Sequence, residues 1–139
     1  MNRKVYMWGY QGHEVSDLEK LVEQSGAVVF DIRYSANSMN ARWRKSHLSL
    51  ILQANYQHVP ELGNINYRNG NEIVIANLEA GIQRIENSDR PVLLVCVCKD
   101  RIGCHRDVIG RELASRGFDV QELSVPRFRD NGTNQMELF

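Results

Sequence analysis

Apolar positions along the chain fall into short unbroken runs, separated by stretches in which they recur every three or four residues. The candidate strands are Val5-Tyr6-Met7-Trp8, Ala27-Val28-Val29-Phe30, Tyr56-Gln57-His58-Val59, Val92-Leu93-Leu94-Val95-Cys96-Val97 and Val120-Gln121-Glu122-Leu123, the third and fifth interrupted by polar residues. The first, second and fourth are too short for helices, rich in β-branched and aromatic residues, and apolar on both sides. That pattern predicts strands buried on both faces, as in a parallel sheet. Between the runs, Leu18, Leu21 and Val22 form a helical stripe after the capping pattern Ser16-Asp17-Leu18-Glu19, and Gly26 closes it. A second helix is predicted from Ala41 to about Ala54, with Trp43, Leu48, Ile51 and Leu52 on its apolar side. A third runs from Ile73 to Ile85 on Ile75, Leu78, Ile82 and Ile85, and a fourth opens at Cys104 and ends before Gly117.

Alternating strands and helices predict a single α/β domain over residues 1–125. Its mostly parallel sheet carries helices on both faces, a Rossmann-like or flavodoxin-like three-layer sandwich with right-handed crossovers. Residues 126–139 have no sustained period and are expected to form a loosely attached tail. A length of 139 residues suits one domain with a real core.

Three polar clusters each follow a predicted strand: Gly9-Tyr10, Asp31-Ile32-Arg33 and the segment from Cys98 through Cys104-His105-Arg106. In a parallel sheet they meet on one rim, where α/β proteins bind ligands. Cys104 opens a helix beside cationic residues, a setting that favours its thiolate and makes it a candidate nucleophile; the alternative is a small buried hydrophobe. His105 either serves as its base or orients a ligand. Cys96 and Cys98 face one side of the strand, Cys96 as a core residue and Cys98 near enough to Cys104 for a resolving or regulatory disulfide. Asp31 and Arg33 share a side and read either as a proton-moving acid with an anion clamp or as a structural pair. Arg106 reads as a phosphate or carboxylate ligand, or as a partner for Asp31.

The formal net charge is zero, so no global field recruits nucleic acid or membrane. Between Ile32 and Pro60, however, there is no acidic residue, while Arg33, Arg42, Arg44, Lys45, His47 and His58 all fall inside. With Tyr34, Trp43 and Tyr56 interleaved, that stretch offers a surface for a phosphate backbone and stacked bases. Three cysteines, an odd number, and no apolar N-terminal segment point to a reducing, cytoplasmic setting. No run approaches membrane-spanning length. No Gly-x-Gly-x-x-Gly or Walker loop is present, so no nucleotide cofactor is expected. Cys98, Cys104 and His105 are zinc-type ligands, but their spacing fits no zinc-knuckle pattern, and no metal is expected.

On four of these pieces the chain resembles an uncharacterised prokaryotic family, domain of unknown function 488. They are Trp8-Gly9-Tyr10; Asp31-Ile32-Arg33 with Ser38 and Trp43; Val59-Pro60-Glu61-Leu62-Gly63; and Cys96 followed by Cys104-His105-Arg106. The resemblance covers about Val5 to Leu123. Ala36 stands where the family has proline, and Cys98 where it tends to have glutamate. The resemblance implies an α/β sandwich and a site of Asp31, Arg33, Cys104, His105 and Arg106, with Tyr10, Ser38, Glu61 and Gly63 as further contacts. It implies no activity.

Two functions are expected to compete. One is a cysteine-dependent enzyme acting on a small anionic ligand, phosphate- or nucleotide-containing. There Cys104 attacks, Arg33 and Arg106 clamp, and Asp31 or His105 moves protons. Its logic parallels rhodanese and low-molecular-weight phosphatase sites by position, although the phosphatase arginine is absent: five residues beyond Cys98 the chain reaches Cys104. The other is a non-catalytic nucleotide- or nucleic-acid-binding module using residues 32–60. No oligomeric state follows from the sequence.

Overall fold

The structure is a computed structural model that describes residues 3–68, 72–98 and 104–125. Five strands form one sheet: β1 (Lys4–Gly9), β2 (Val28–Asp31), β3 (Tyr56–His58), β4 (Val92–Cys96) and β5 (Asp119–Glu122). All four strand pairings are parallel, and the order is β3-β2-β4-β1-β5. The expected doubly wound parallel sheet is therefore present, in a strand order distinct from 3-2-1-4-5-6 and 2-1-3-4-5.

The helices are α1 (Val15–Ser25), α2 (Lys45–Leu52), α3 (Leu78–Glu86) and α4 (His105–Ser115). α1 and α2 pack Leu18, Leu21, Leu48 and Leu52 against Tyr6, Trp8, Val29 and Leu93 on one face. α3 and α4 pack Ile82, Ile85, Ile109 and Leu113 against Met7, Phe30, Leu94 and Cys96 on the other. The layers follow from topology. Connections through α1 and α2 step toward the β3 edge, and those through α3 and α4 step back toward β5. Crossovers of one hand must then lie on opposite faces. Chain leaving the ends of β1 and β4, which are neighbours in the sheet, departs to opposite sides and opens a crevice between them.

Several boundaries differ from expectation, each for a local reason. The cap of α1 is Glu14, whose N–H donates to the Asp17 carboxylate at 3.0 Å, so Ser16 lies inside the helix. Gly26 closes α1 in the left-handed conformation, as expected. The long helix predicted from Ala41 is broken: Arg44 is extended (φ −77°, ψ 147°), separating a single turn at Ala41–Trp43 from α2, and a further turn at Gln53–Asn55 follows. α3 begins only at Leu78, because the Asn77 side chain caps Ala80 N–H at 3.2 Å. Ile75 instead bridges to Asn64. The polar loop read between Lys99 and Gly103 and the tail 126–139 lie outside the described residues.

Candidate functional site

β4 ends at Cys96, and the next described elements of that edge are Cys98 and the start of α4, whose N-cap is Cys104. Cys96 and Cys98 face the same side of the strand, as their alternation requires. Cys104, in extended conformation at the cap, turns its sulfur back over β4. The three Sγ atoms lie within 4.8 Å of one another, Cys96 and Cys104 at 3.2 Å. Cys96 and Cys104 are buried, and Cys98 is half-buried. Hydrogen bonds from Cys104 and Cys96 hold the Cys98 thiol well below its ordinary pKa, against the effect of burial. Those same contacts and burial push Cys96 up.

His105 Nε2–H donates to the Ile32 carbonyl at 2.9 Å. In the neutral ring this leaves Nδ1 unprotonated, 3.8 Å from Cys104 Sγ. Sequence left open whether adjacent residues face each other; the extended cap before the first helical residue lets them.

Cys98, Cys104 and His105 form the floor of a cleft of about 800 Å³. Tyr10, Arg33 and Ser38 line it too, with Tyr34, Tyr67 and Arg68 among the other residues of its wall. Its described lining contains no carboxylate. Tyr34 and Tyr67 are each nearly half exposed, with ring centroids 6.4 Å apart. An adjoining shallower cleft shares both tyrosines and adds Arg44, Lys45 and His58.

The expected anion clamps are committed elsewhere. Arg33 grips Asp31 in a bidentate pair, Nε–Oδ1 at 2.8 Å and Nη2–Oδ2 at 2.6 Å, and gives Nη1–H to the Tyr10 hydroxyl at 3.1 Å. Tyr56 donates to Asp31 Oδ2 at 2.5 Å. Burial and the Asp31 charge push the Tyr56 phenol up, so it stays the donor. Asp31 is 1% exposed and is not part of the cleft wall, so it is a structural partner and not the proton carrier expected. The pair is kept because an acid ending a buried strand must be neutralised where it sits. Tyr10 stacks on Trp43 at 4.0 Å, which ties this network to the core.

Arg106 is 0% exposed. It pairs with Glu122 on β5 at 2.8 Å, donates to the Cys98 carbonyl at 2.6 Å, and points Nη1 at Cys96 Sγ at 3.2 Å. Its partners here do not include Asp31; it fixes the end of β4 and places a positive charge under the sulfurs. Gly9 makes that possible, since a Cβ there would collide with the Cys98 carbonyl oxygen and crowd Arg106 Nη1. Two residues of the Pro-Glu-Leu-Gly piece also leave the site. Glu61 pairs with Arg84 of α3 at 3.1 Å, and Gly63 is the close-approach point for the Tyr34 backbone. Gly63 thus positions the cleft wall without facing a ligand.

Sequence reasoning offered Tyr34, Trp43 and Tyr56 as stacking rings, but Trp43 and Tyr56 are buried; it missed Tyr67, Glu122 and the bond from Tyr56 to Asp31. Tyr56 carried a signal, since the hydroxyl of a buried tyrosine must find a partner. Glu122 gave none. A scan against protein-family models finds no match for the chain, and no curated protein or solved structure matches it.

Proposed function

We propose that the protein is a thiol-dependent enzyme acting on a phosphate- or nucleotide-containing anion in the cleft at the carboxyl edge of the sheet. The observation that carries the reading is the gathering of Cys98, Cys104 and His105 on the floor of a cleft whose described wall has no carboxylate. Cys98, the most open of the three sulfurs, is the attacking group. Cys104 supports it from the helix cap, where the dipole also favours negative charge. The Cys98 sulfur forms a bond to the electrophilic atom of the substrate, and the bond to the leaving group breaks with its electron pair. Water then attacks the adduct and gives its proton to His105 Nδ1, while the bond to the Cys98 sulfur breaks and returns its electron pair to the thiolate; His105 releases that proton to solvent, from which the departed leaving group takes its own. Arg68, Arg44 and Lys45 around the mouths of the two clefts supply the positive field that the buried Arg33 and Arg106 do not. Such chemistry needs reduced thiols and fits the cytoplasm. The test is turnover of a chromogenic phosphate ester: Cys98→Ser abolishes it while phosphate binding survives, and unchanged turnover in that variant refutes the proposal.

A second reading is a nucleic-acid-binding module. It is favoured by exposed Arg44 and Lys45, which line a cleft with Tyr34 and Tyr67, and by exposed Arg42 just before them in the chain. Reversing those three charges should then abolish retention of single-stranded nucleic acid at low salt.

A further inference from the structure

Along the chain, the spacing of Cys98, Cys104 and His105 fits no zinc-knuckle pattern and argued against a metal, while Cys96 read as a core residue. The fold brings its sulfur back, 3.2 Å from Cys104 and within 4.8 Å of Cys98. We propose that Cys96, Cys98 and Cys104 form a three-thiolate site for a thiophilic divalent cation, Zn2+ being the probe, and that occupancy silences the thiol chemistry of the cleft.

Geometry comes first. Sulfurs about 2.3 Å from a tetrahedral zinc stand about 3.8 Å apart. Cys96 and Cys104 stand 3.2 Å apart and no pair exceeds 4.8 Å, so every separation lies within about 1 Å of that value and side-chain rotation is enough to seat the ion. Charge comes second. Three thiolates alone are untenable in so buried a place. Arg106, 3.2 Å from Cys96 Sγ and 3.8 Å from Cys104 Sγ, supplies one positive charge, and a divalent cation supplies the other two. The sulfurs, the ion and Arg106 then sum to zero, the one remaining negative charge sits on the part-exposed Glu122, and an N–H donor lies beneath a ligating sulfur in the manner of an outer-shell partner. Access comes third. Cys96 lies beneath, while Cys98, Cys104 and His105 face the cleft, so the fourth coordination position opens on the cleft beside His105. Soft sulfur donors select zinc and its thiophilic neighbours over magnesium or calcium. Binding releases the thiol protons to solvent and changes no oxidation state.

The silencing half rests on the thiol-enzyme reading; the binding half does not. The full chain, reduced and stripped with chelator under anaerobic conditions, is titrated with Zn2+ against a chromophoric competitor. One Zn2+ per chain is expected, with alkylation of all three cysteines slowed at least tenfold. In Cys98→Ser and in Cys104→Ser the affinity should fall by at least about tenfold, as even outer-shell losses do. Co2+ added to the unmodified chain gives a readout that no folding defect can mimic: a thiolate-to-metal absorption band with the intensity of three sulfurs. No Zn2+ retained, a Co2+ band of one sulfur or none, or affinity unchanged in both variants overturns the site. Phosphate protection of Cys98 in the metal-free chain is measured alongside. Its absence removes the enzyme reading while a stoichiometric Zn2+ count leaves the site standing.

Discussion

Arg106 and Glu122 form an ion pair at 2.8 Å that ties the first turn of α4 to β5, with the guanidinium fully buried and the carboxylate one-third exposed. The arginine of the Cys-His-Arg piece is held by this pair. It fixes the Cys98 carbonyl and sets one positive charge under the sulfurs.

Glu122→Gln removes the partner and leaves a buried guanidinium facing neutral groups. Removing one member of a buried pair typically costs about 3–5 kcal/mol, and partial exposure of Glu122 puts this one at roughly 2–3 kcal/mol. Urea unfolding followed by circular dichroism should show that loss. A change below about 0.5 kcal/mol would mean that the pair is ornamental.

Asp31→Asn should be worse. It strips Arg33 of its bidentate partner inside the core and leaves Tyr56 facing an amide, a loss of about 3–5 kcal/mol. Tyr56→Phe removes one hydrogen bond to a charged group, about 1.5–3 kcal/mol. If Asp31 were a catalytic acid and not a structural one, Tyr56→Phe would alter turnover with little change in the urea midpoint.

Gly9→Ala places a methyl group on the Cys98 carbonyl. Overpacking costs about 1–3 kcal/mol, and relief requires the end of β4 to move. The variant should therefore lose stability and also the ordered gathering of the sulfurs, seen as alkylation rates that become similar for Cys96, Cys98 and Cys104. Retention of the native ranking would separate Gly9 from the site.

Much of this architecture is legible in the chain. The apolar runs marked the strands, because burial on both faces leaves no polar alternation to confuse them. Gly26 marked the end of α1. Where expectation missed, one residue outvoted a periodicity: Arg44 in extended conformation broke the helix after Trp43, and Asn77 capped α3 despite Ile75 lying in phase before it. The rim was legible too, since residues following parallel strands must converge. Its inner wiring was not. Whether Arg33 reaches outward or folds back on Asp31 depends on Tyr10 and Tyr56, which stand 23 and 25 residues from the atoms they meet. Cys96 reads as core in any strand of this kind. Only the cap geometry of α4 brings Cys104 to it.

The most direct measurement is the alkylation rate of each cysteine in the folded, metal-free chain at neutral pH, resolved by mass spectrometry, with and without phosphate or a nucleotide. Cys98 should label first, Cys96 and Cys104 should lag at least tenfold, and the anion should protect Cys98. A Cys98 that labels no faster than the buried pair, or that labels at one rate whatever anion is present, would contradict a thiol site in this cleft.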